Sequence, residues 1–273
     1  MYSSSSSGPA DPYFDDIDEM DDLSFTFAFQ PIIDEGPNRV IGYEALIRGV
    51  AGQPASAVLS TIRPENRQRF DQAVRLRAIR EASRLGLRAP LHLNCSWLSP
   101  AHTRAAMVGL LNAASARGIR REDLVLELQN LDQYNSMEEL KQIRQGMRDF
   151  RVRLLVDRFG AGNADLARLA FLRPDMVKLD RQLIAGIQNG GARQGIVTGV
   201  VAMCRTLNIQ VVAVGVEEFA ELSWLTGQGV RLFQGYYFGK PAINRVPEVE
   251  RFKFDRFLGD QETRGGAASF SAC

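Results

Sequence analysis

Short apolar segments alternate with longer amphipathic ones along most of the chain, and this alternation limits the fold more than any other feature. Strand-like runs fall at residues 25–33, 40–47, 91–94, 124–128, 153–156, 176–178, 210–213 and 231–233. Helical periodicity fills 70–85, 101–117, 137–150, 165–171, 193–207 and 218–227. Strands that alternate with helices predict a parallel sheet covered by helices. Eight strand candidates predict closure into a barrel, and 273 residues suit one such barrel of roughly 250. The first two strands have no helix between them, only residues 34–39 with Gly36 and Pro37. That connection is a hairpin, so one strand should run antiparallel to its neighbours. The expectation is therefore an α/β fold, a TIM-type (β/α)8 barrel with one antiparallel strand.

The barrel is expected over residues 23–258. Residues 1–22, Ser-rich and then crowded with Asp15, Asp16, Asp18, Glu19, Asp21 and Asp22, read as a solvated tail, and 259–273 as a flexible one. A formal net charge of +1 gives no electrostatic case for nucleic acid or an anionic membrane. Cys95, Cys204 and Cys273 are too few and scattered for a disulfide framework, and no apolar run approaches the ~20 residues that span a bilayer. The expectation is a cytoplasmic protein. With only His92 and His102, His-centred triad chemistry is disfavoured, and no P-loop or His-Glu-x-x-His pattern occurs.

The functional signal lies in the polar residues at the end of each apolar run: Glu44, Asn94, Glu127, Asp157, Lys178 with Asp180, Glu217 and Gln234. In an α/β barrel the strand C-termini share one rim, where active sites sit. Any one of these residues could merely cap a strand or helix. Together they would bring three carboxylates and an amide oxygen to one place, a set suited to a hard divalent cation.

The motifs then become specific. Tyr43-Glu44-Ala45-Leu46-Ile47-Arg48 resembles the sequence that names the EAL-domain family of cyclic-di-GMP phosphodiesterases, and Phe29-Gln30-Pro31-Ile32-Ile33 resembles its first strand. Leu93-Asn94, Leu126-Glu127-Leu128, Val156-Asp157-Arg158-Phe159-Gly160, Val177-Lys178-Leu179-Asp180, Gly215-Val216-Glu217 and Phe233-Gln234-Gly235-Tyr236 are similar to its remaining motifs, in order. The resemblance implies hydrolysis of cyclic-di-GMP to pGpG by two divalent metals, one activating a water and both clamping the reacting phosphate. It places one metal, Mg²⁺ or Mn²⁺, on Glu44, Asn94, Glu127 and Asp157. Lys178, Asp180, Glu217 and Gln234 fall at catalytic positions. Leu46, Arg48 and Asp71 fall at ligand-binding positions.

Three departures affect the second metal and its control. Arg158 stands where the family has a second Asp. Val214 stands where Ala-Glu-Gly-Val-Glu carries a metal-binding Glu. Gln129-Asn130 stands where the family has Thr-Glu, which couples the site to a dimer interface. The second metal site is therefore expected to be lost. Arg158 is a candidate to neutralise Asp157 or to pair with a ligand phosphate. The resulting expectation is a catalytically silent cyclic-di-GMP receptor, with an unidentified protein partner and a possible homodimer. The alternatives are a nucleotide-independent protein-interaction module and a weak phosphodiesterase.

Overall fold

The structure is a computed structural model that describes residues 25–96, 98, 103–129, 131–161 and 166–249. The expected terminal tails, His102, Asn130 and Cys273 lie outside the described residues. β1 (Phe25–Asp34) and β2 (Arg39–Gly49) form the expected hairpin, paired from Phe25–Gly49 to Asp34–Arg39. The remaining strands of the barrel are β3 (Leu91–Cys95), β4 (Leu124–Leu128), β5 (Arg153–Phe159), β6 (Met176–Leu179), β7 (Gln210–Val214) and β8 (Leu232–Gln234). Neighbours from β2 to β8 pair in parallel, and β8 closes antiparallel onto β1. β1 is thus the one reversed strand of a closed eight-stranded barrel. A two-residue strand, β9 (Ala242–Ile243), adds to its outer edge and has no counterpart in the sequence expectation.

The helices are α1 (Ala55–Leu59), α2 (Arg67–Arg84), α3 (Thr103–Ser115), α4 (Met137–Phe150), α5 (Leu166–Leu172), α6 (Arg181–Ile184), α7 (Ala192–Thr206) and α8 (Phe219–Gly227). The six long ones lie where periodicity places them, within a few residues at each end. α1 and α6 escape the sequence pattern because one turn is too short to show a 3.6-residue period. Local chemistry sets several boundaries. The Ser136 hydroxyl caps α4 by accepting from Glu139 N–H, and Glu218 with Glu221 forms a capping box on α8.

Strand parity builds two cores. Leu91, Leu93, Leu124, Leu126, Leu154, Val156, Val177, Val211 and Phe233 point outward and pack against the helices. Their alternates Val125, Leu155, Met176, Val212 and Leu232, with Ile32, fill the barrel interior. A bulge in the hairpin, where Gly42 faces Ile32 and Val40 faces Ile33, leaves Ile41 unpaired and packed against that interior cluster.

Candidate functional site

The interior layer is apolar at the first inward position of each strand and polar at the next. Two residues beyond Val125, Leu155, Met176 and Leu232 come Glu127, Asp157, Lys178 and Gln234; His92 and Asn94 share the same parity on β3. The bulge at Ile41 shifts the parity of β2 and turns Glu44 inward as well. Val214, two residues beyond Val212, occupies the equivalent place on β7 and packs against the apolar layer. It is the apolar member of an otherwise polar ring.

Lys178 is the hub of that ring. Its ammonium, 1% exposed, donates to Glu44 Oε2 and Glu127 Oε2 at 2.6 Å each. Glu44 also accepts from Gln234 Nε2 at 2.8 Å and Asn94 Nδ2 at 2.9 Å. The outer oxygen of Glu127 meets His92 Nδ1 at 2.8 Å. Gln30 on β1 joins through Gln234 at 3.3 Å. Gly42 leaves room for His92: a Cβ there would lie 2.8 Å from Nε2.

The two glutamates share the ammonium at equal distance but differ because Glu44 also accepts from Gln234 and Asn94, and its charge in turn raises Glu127. Burial raises the Glu44 pKa, but the Lys178 charge and three hydrogen bonds outweigh it and hold it down at about 2. Glu127 is raised to about 8 by burial and by the Glu44 charge, against the pull of Lys178. Asp157 is raised to about 6, first by burial and then by Glu127 and Glu44. Burial lowers the Lys178 pKa, yet the surrounding carboxylates outweigh it and the ammonium stays charged. Burial, then Lys178, keeps His92 neutral. The ring therefore holds a proton on Glu127 at neutral pH and has spare anionic capacity for a cation.

A cavity of about 500 Å³ opens from this ring between β2, α1 and α2. Glu44, Asn94 and Asp157 form its polar end and Phe27, Ile62 and Phe70 its apolar end. Leu46 and Asp71 line it. Asp71 is held in place: Oδ1 accepts from Ser96 N–H at 3.1 Å and Oδ2 pairs with Arg75, a buried guanidinium one helical turn on.

Other expected residues are placed differently. Arg48 folds back onto its own backbone, donating to Ile47 O at 2.8 Å, and is not a cavity wall. Arg158 lines the mouth but is exposed and makes no ion pair with Asp157, so it does not neutralise that carboxylate. Its backbone is left-handed, with φ of 55°. Asp180 caps α6 by accepting from Gln182 N–H at 2.8 Å. Glu217 is drawn off into a two-pronged pair with Arg181, at 2.8 and 3.0 Å, outside the ring.

The structure adds a residue that the sequence marks only as a departure. Gln129 Nε2 bridges Asn94 Oδ1 at 2.9 Å and Asp157 Oδ2 at 3.3 Å. Its backbone is steadied by Gln133, which donates to Gln129 O at 3.0 Å. An amide donor held between two oxygens occupies the kind of position a cation would take. The oxygens of Glu44, Asn94, Glu127 and Asp157 are of the kind that hard divalent ions prefer. Among the described residues no three His, Cys, Asp or Glu side chains form a cage, and Lys178 and Gln129 donate to the oxygens of this set.

The chain matches the EAL domain family over residues 18–241. It is 27% identical over 224 residues to the blue light- and temperature-regulated antirepressor BluF of Escherichia coli, covering 82% of this chain and 56% of BluF. It is 26% identical to the probable cyclic di-GMP phosphodiesterase PdeD of the same organism, covering 80% of this chain and 41% of PdeD. The chain thus spans about half the length of these curated relatives. Among solved structures it is similar to a standalone EAL protein of Vibrio cholerae in its c-di-GMP-bound form, with 34% identity, TM-score 0.79 and coverage of 86% of this chain and 98% of that one. It is also similar to Klebsiella pneumoniae BlrP1 in a manganese and cyclic-di-GMP complex, with 33% identity, TM-score 0.76 and coverage of 83% and 58%. The closed barrel agrees with that match, and the chain belongs to the EAL domain family.

Proposed function

We propose that this chain is a receptor for cyclic-di-GMP that turns the nucleotide over slowly or not at all. The observation that carries the reading is the cavity of about 500 Å³ joining an apolar wall to the carboxylate ring. A cavity of that size suits a small-molecule ligand. Phe70 and Leu46 offer apolar surface for a base, and the Asp71 carboxylate, fixed by Arg75 and Ser96, is an acceptor for a guanine edge. Arg158 at the mouth is an exposed guanidinium available to a phosphate.

A single divalent cation would sit on Glu44, Asn94, Glu127 and Asp157 and, when bound, would lower the pKa of a coordinated water. The chain's own residues limit the chemistry beyond that point. Lys178 already donates to both Glu44 and Glu127, Gln129 engages Asn94 and Asp157, and Val214 and Arg158 supply no ligand for a second ion. Glu217 is committed to Arg181. These features support binding without the two-ion clamp that in-line displacement uses.

The test is a turnover assay on the purified chain with Mn²⁺ or Mg²⁺, beside the Arg158→Asp/Val214→Glu variant. The account expects hydrolysis near background in the wild type and a gain of at least about a hundredfold in the double variant, about 2.7 kcal/mol of restored barrier lowering. Wild-type turnover within tenfold of an active phosphodiesterase would overturn it.

A second reading, a module that acts through protein contacts without nucleotide, is favoured by the similarity to a protein named as an antirepressor. The two differ in whether the cavity binds cyclic-di-GMP at all.

A further inference from the structure

A second crevice lies at the opposite end of the barrel. Arg153, where β5 enters, is four residues and so about 13 Å along the strand from Asp157 at the rim. The crevice measures about 280 Å³ and is walled by Arg144, Arg148, Arg151, Arg153 and Arg173. Asp175 is its one carboxylate, and Asp175 Oδ2 already accepts from Leu154 N–H at 2.8 Å.

The chain's net charge is only +1, so five guanidiniums around one hollow are a local concentration. None forms an ion pair with a carboxylate among the described residues. The Nε atoms of Arg144 and Arg153 are shielded from solvent and have no hydrogen-bond partner. Arg144 uses one terminal nitrogen on Phe171 O, at 3.4 Å. Burial, then repulsion from Arg148 and Arg173, lowers the Arg144 pKa. Arg151 and Arg173 both adopt left-handed backbone, with φ of 56° and 43°, a conformation disfavoured for a long side chain.

Helix termini account for part of this charge. α4 and α5 end beside the crevice, and helix C-termini attract cations. Each contributes roughly half a negative charge, so the two with Asp175 offset about two of the five positive charges. About three remain, converging on a hollow too small for a protein segment.

We propose that this crevice binds a compact polyphosphate, a diphosphate or triphosphate group, free or as the tail of a nucleotide. Guanidinium forks engage phosphate oxygens in pairs, and such a group carries the several negative charges that the excess matches. Arg148, Arg151 and Arg173 are exposed, and Arg144 and Arg153 line the same crevice half-buried beside them. The site is separate from the rim cavity and does not depend on how that cavity functions.

The test is calorimetric titration of inorganic tripolyphosphate into the chain with EDTA present and ~0.15 M salt, repeated with ATP and with the Arg148→Gln/Arg173→Asn variant (Asn tolerates left-handed backbone). The expected result is saturable one-to-one binding, weakened at least about tenfold in the variant, the scale of one charge-assisted contact. Cyclic-di-GMP affinity and melting temperature should stay unchanged in that variant. ATP binding equal to tripolyphosphate would mean that the phosphates alone are read. Tighter ATP binding would mean a nucleotide is the source. Absence of saturable tripolyphosphate binding, or equal binding by the variant, would overturn the proposal.

Discussion

Gln129→Ala should tighten cation binding at the rim. In the structure the Gln129 amide donates to Asn94 Oδ1 at 2.9 Å and to Asp157 Oδ2 at 3.3 Å. Both oxygens belong to the set that would hold a divalent ion, so the ion must displace the amide. Each such bond has a net worth of roughly 0.5–1.5 kcal/mol, and the longer one sits at the low end. Removing the competitor should recover about 1–2 kcal/mol, a five- to thirtyfold lower Kd. Titration of Mn²⁺ into the wild type and the variant, followed by heat, reads this directly and needs no catalytic activity. Equal affinities would show that Gln129 gives way freely. Weaker binding by Gln129→Ala would refute the reasoning, because it would make Gln129 a ligand through its Oε1.

In EDTA, stability should fall as pH rises from about 6.5 to 8. There Glu127, raised to about 8, keeps a proton when folded and has none when unfolded, near the ordinary 4.5; the folded state binds more protons, so the slope is negative, at most about 1.4 kcal/mol per pH unit. Below that window His92, held neutral, contributes the opposite sign. Thermal melts of the wild type and Glu127→Gln check this, and the variant should lose the decline. Lys178→Met should destabilise by roughly 3–5 kcal/mol at neutral pH, since it leaves the buried Glu44 carboxylate without its counter-charge and Glu127 without a donor; urea unfolding that shifts by less than about 1 kcal/mol would contradict the hub role. Gly235→Ala should be strongly destabilising, since its Cβ would meet Val216 O at 2.0 Å, where backbone and not a flexible side chain must yield. Near-wild-type expression and melting of that variant would show that the β7 and β8 loops can part.

The barrel was legible because its signal is repeated. Eight apolar runs, a hairpin without a crossover and helical periodicity between the rest leave few topologies. Inward polar residues were legible for the same reason: period-2 alternation puts Glu127 above Val125 and Lys178 above Met176. What the sequence concealed depends on three-dimensional neighbours. The bulge at Ile41 decides which face Glu44 takes, and no local residue announces it. Lys178 reads as a strand-end cation, yet its role as the donor shared by Glu44 on β2 and Glu127 on β4 comes only from barrel closure. Arg158 reads as a replacement counter-ion for Asp157, but it stays exposed and makes no ion pair with that carboxylate. Glu217 matches a motif and is instead captured by Arg181, a residue on an unforeseen one-turn helix. Gln129 stands out in the sequence as a departure, and its bridging position emerges from the pairing of β3, β4 and β5 at the rim.

The most direct test of the receptor reading is calorimetric titration of cyclic-di-GMP into the wild type and Asp71→Ala, with Ca²⁺ present. The account predicts saturable wild-type binding at micromolar concentrations or tighter, weakened at least about tenfold when Asp71, whose carboxylate lines the cavity, is removed. No detectable wild-type binding, confirmed by a second method, would contradict it and leave a barrel that works through protein contacts alone.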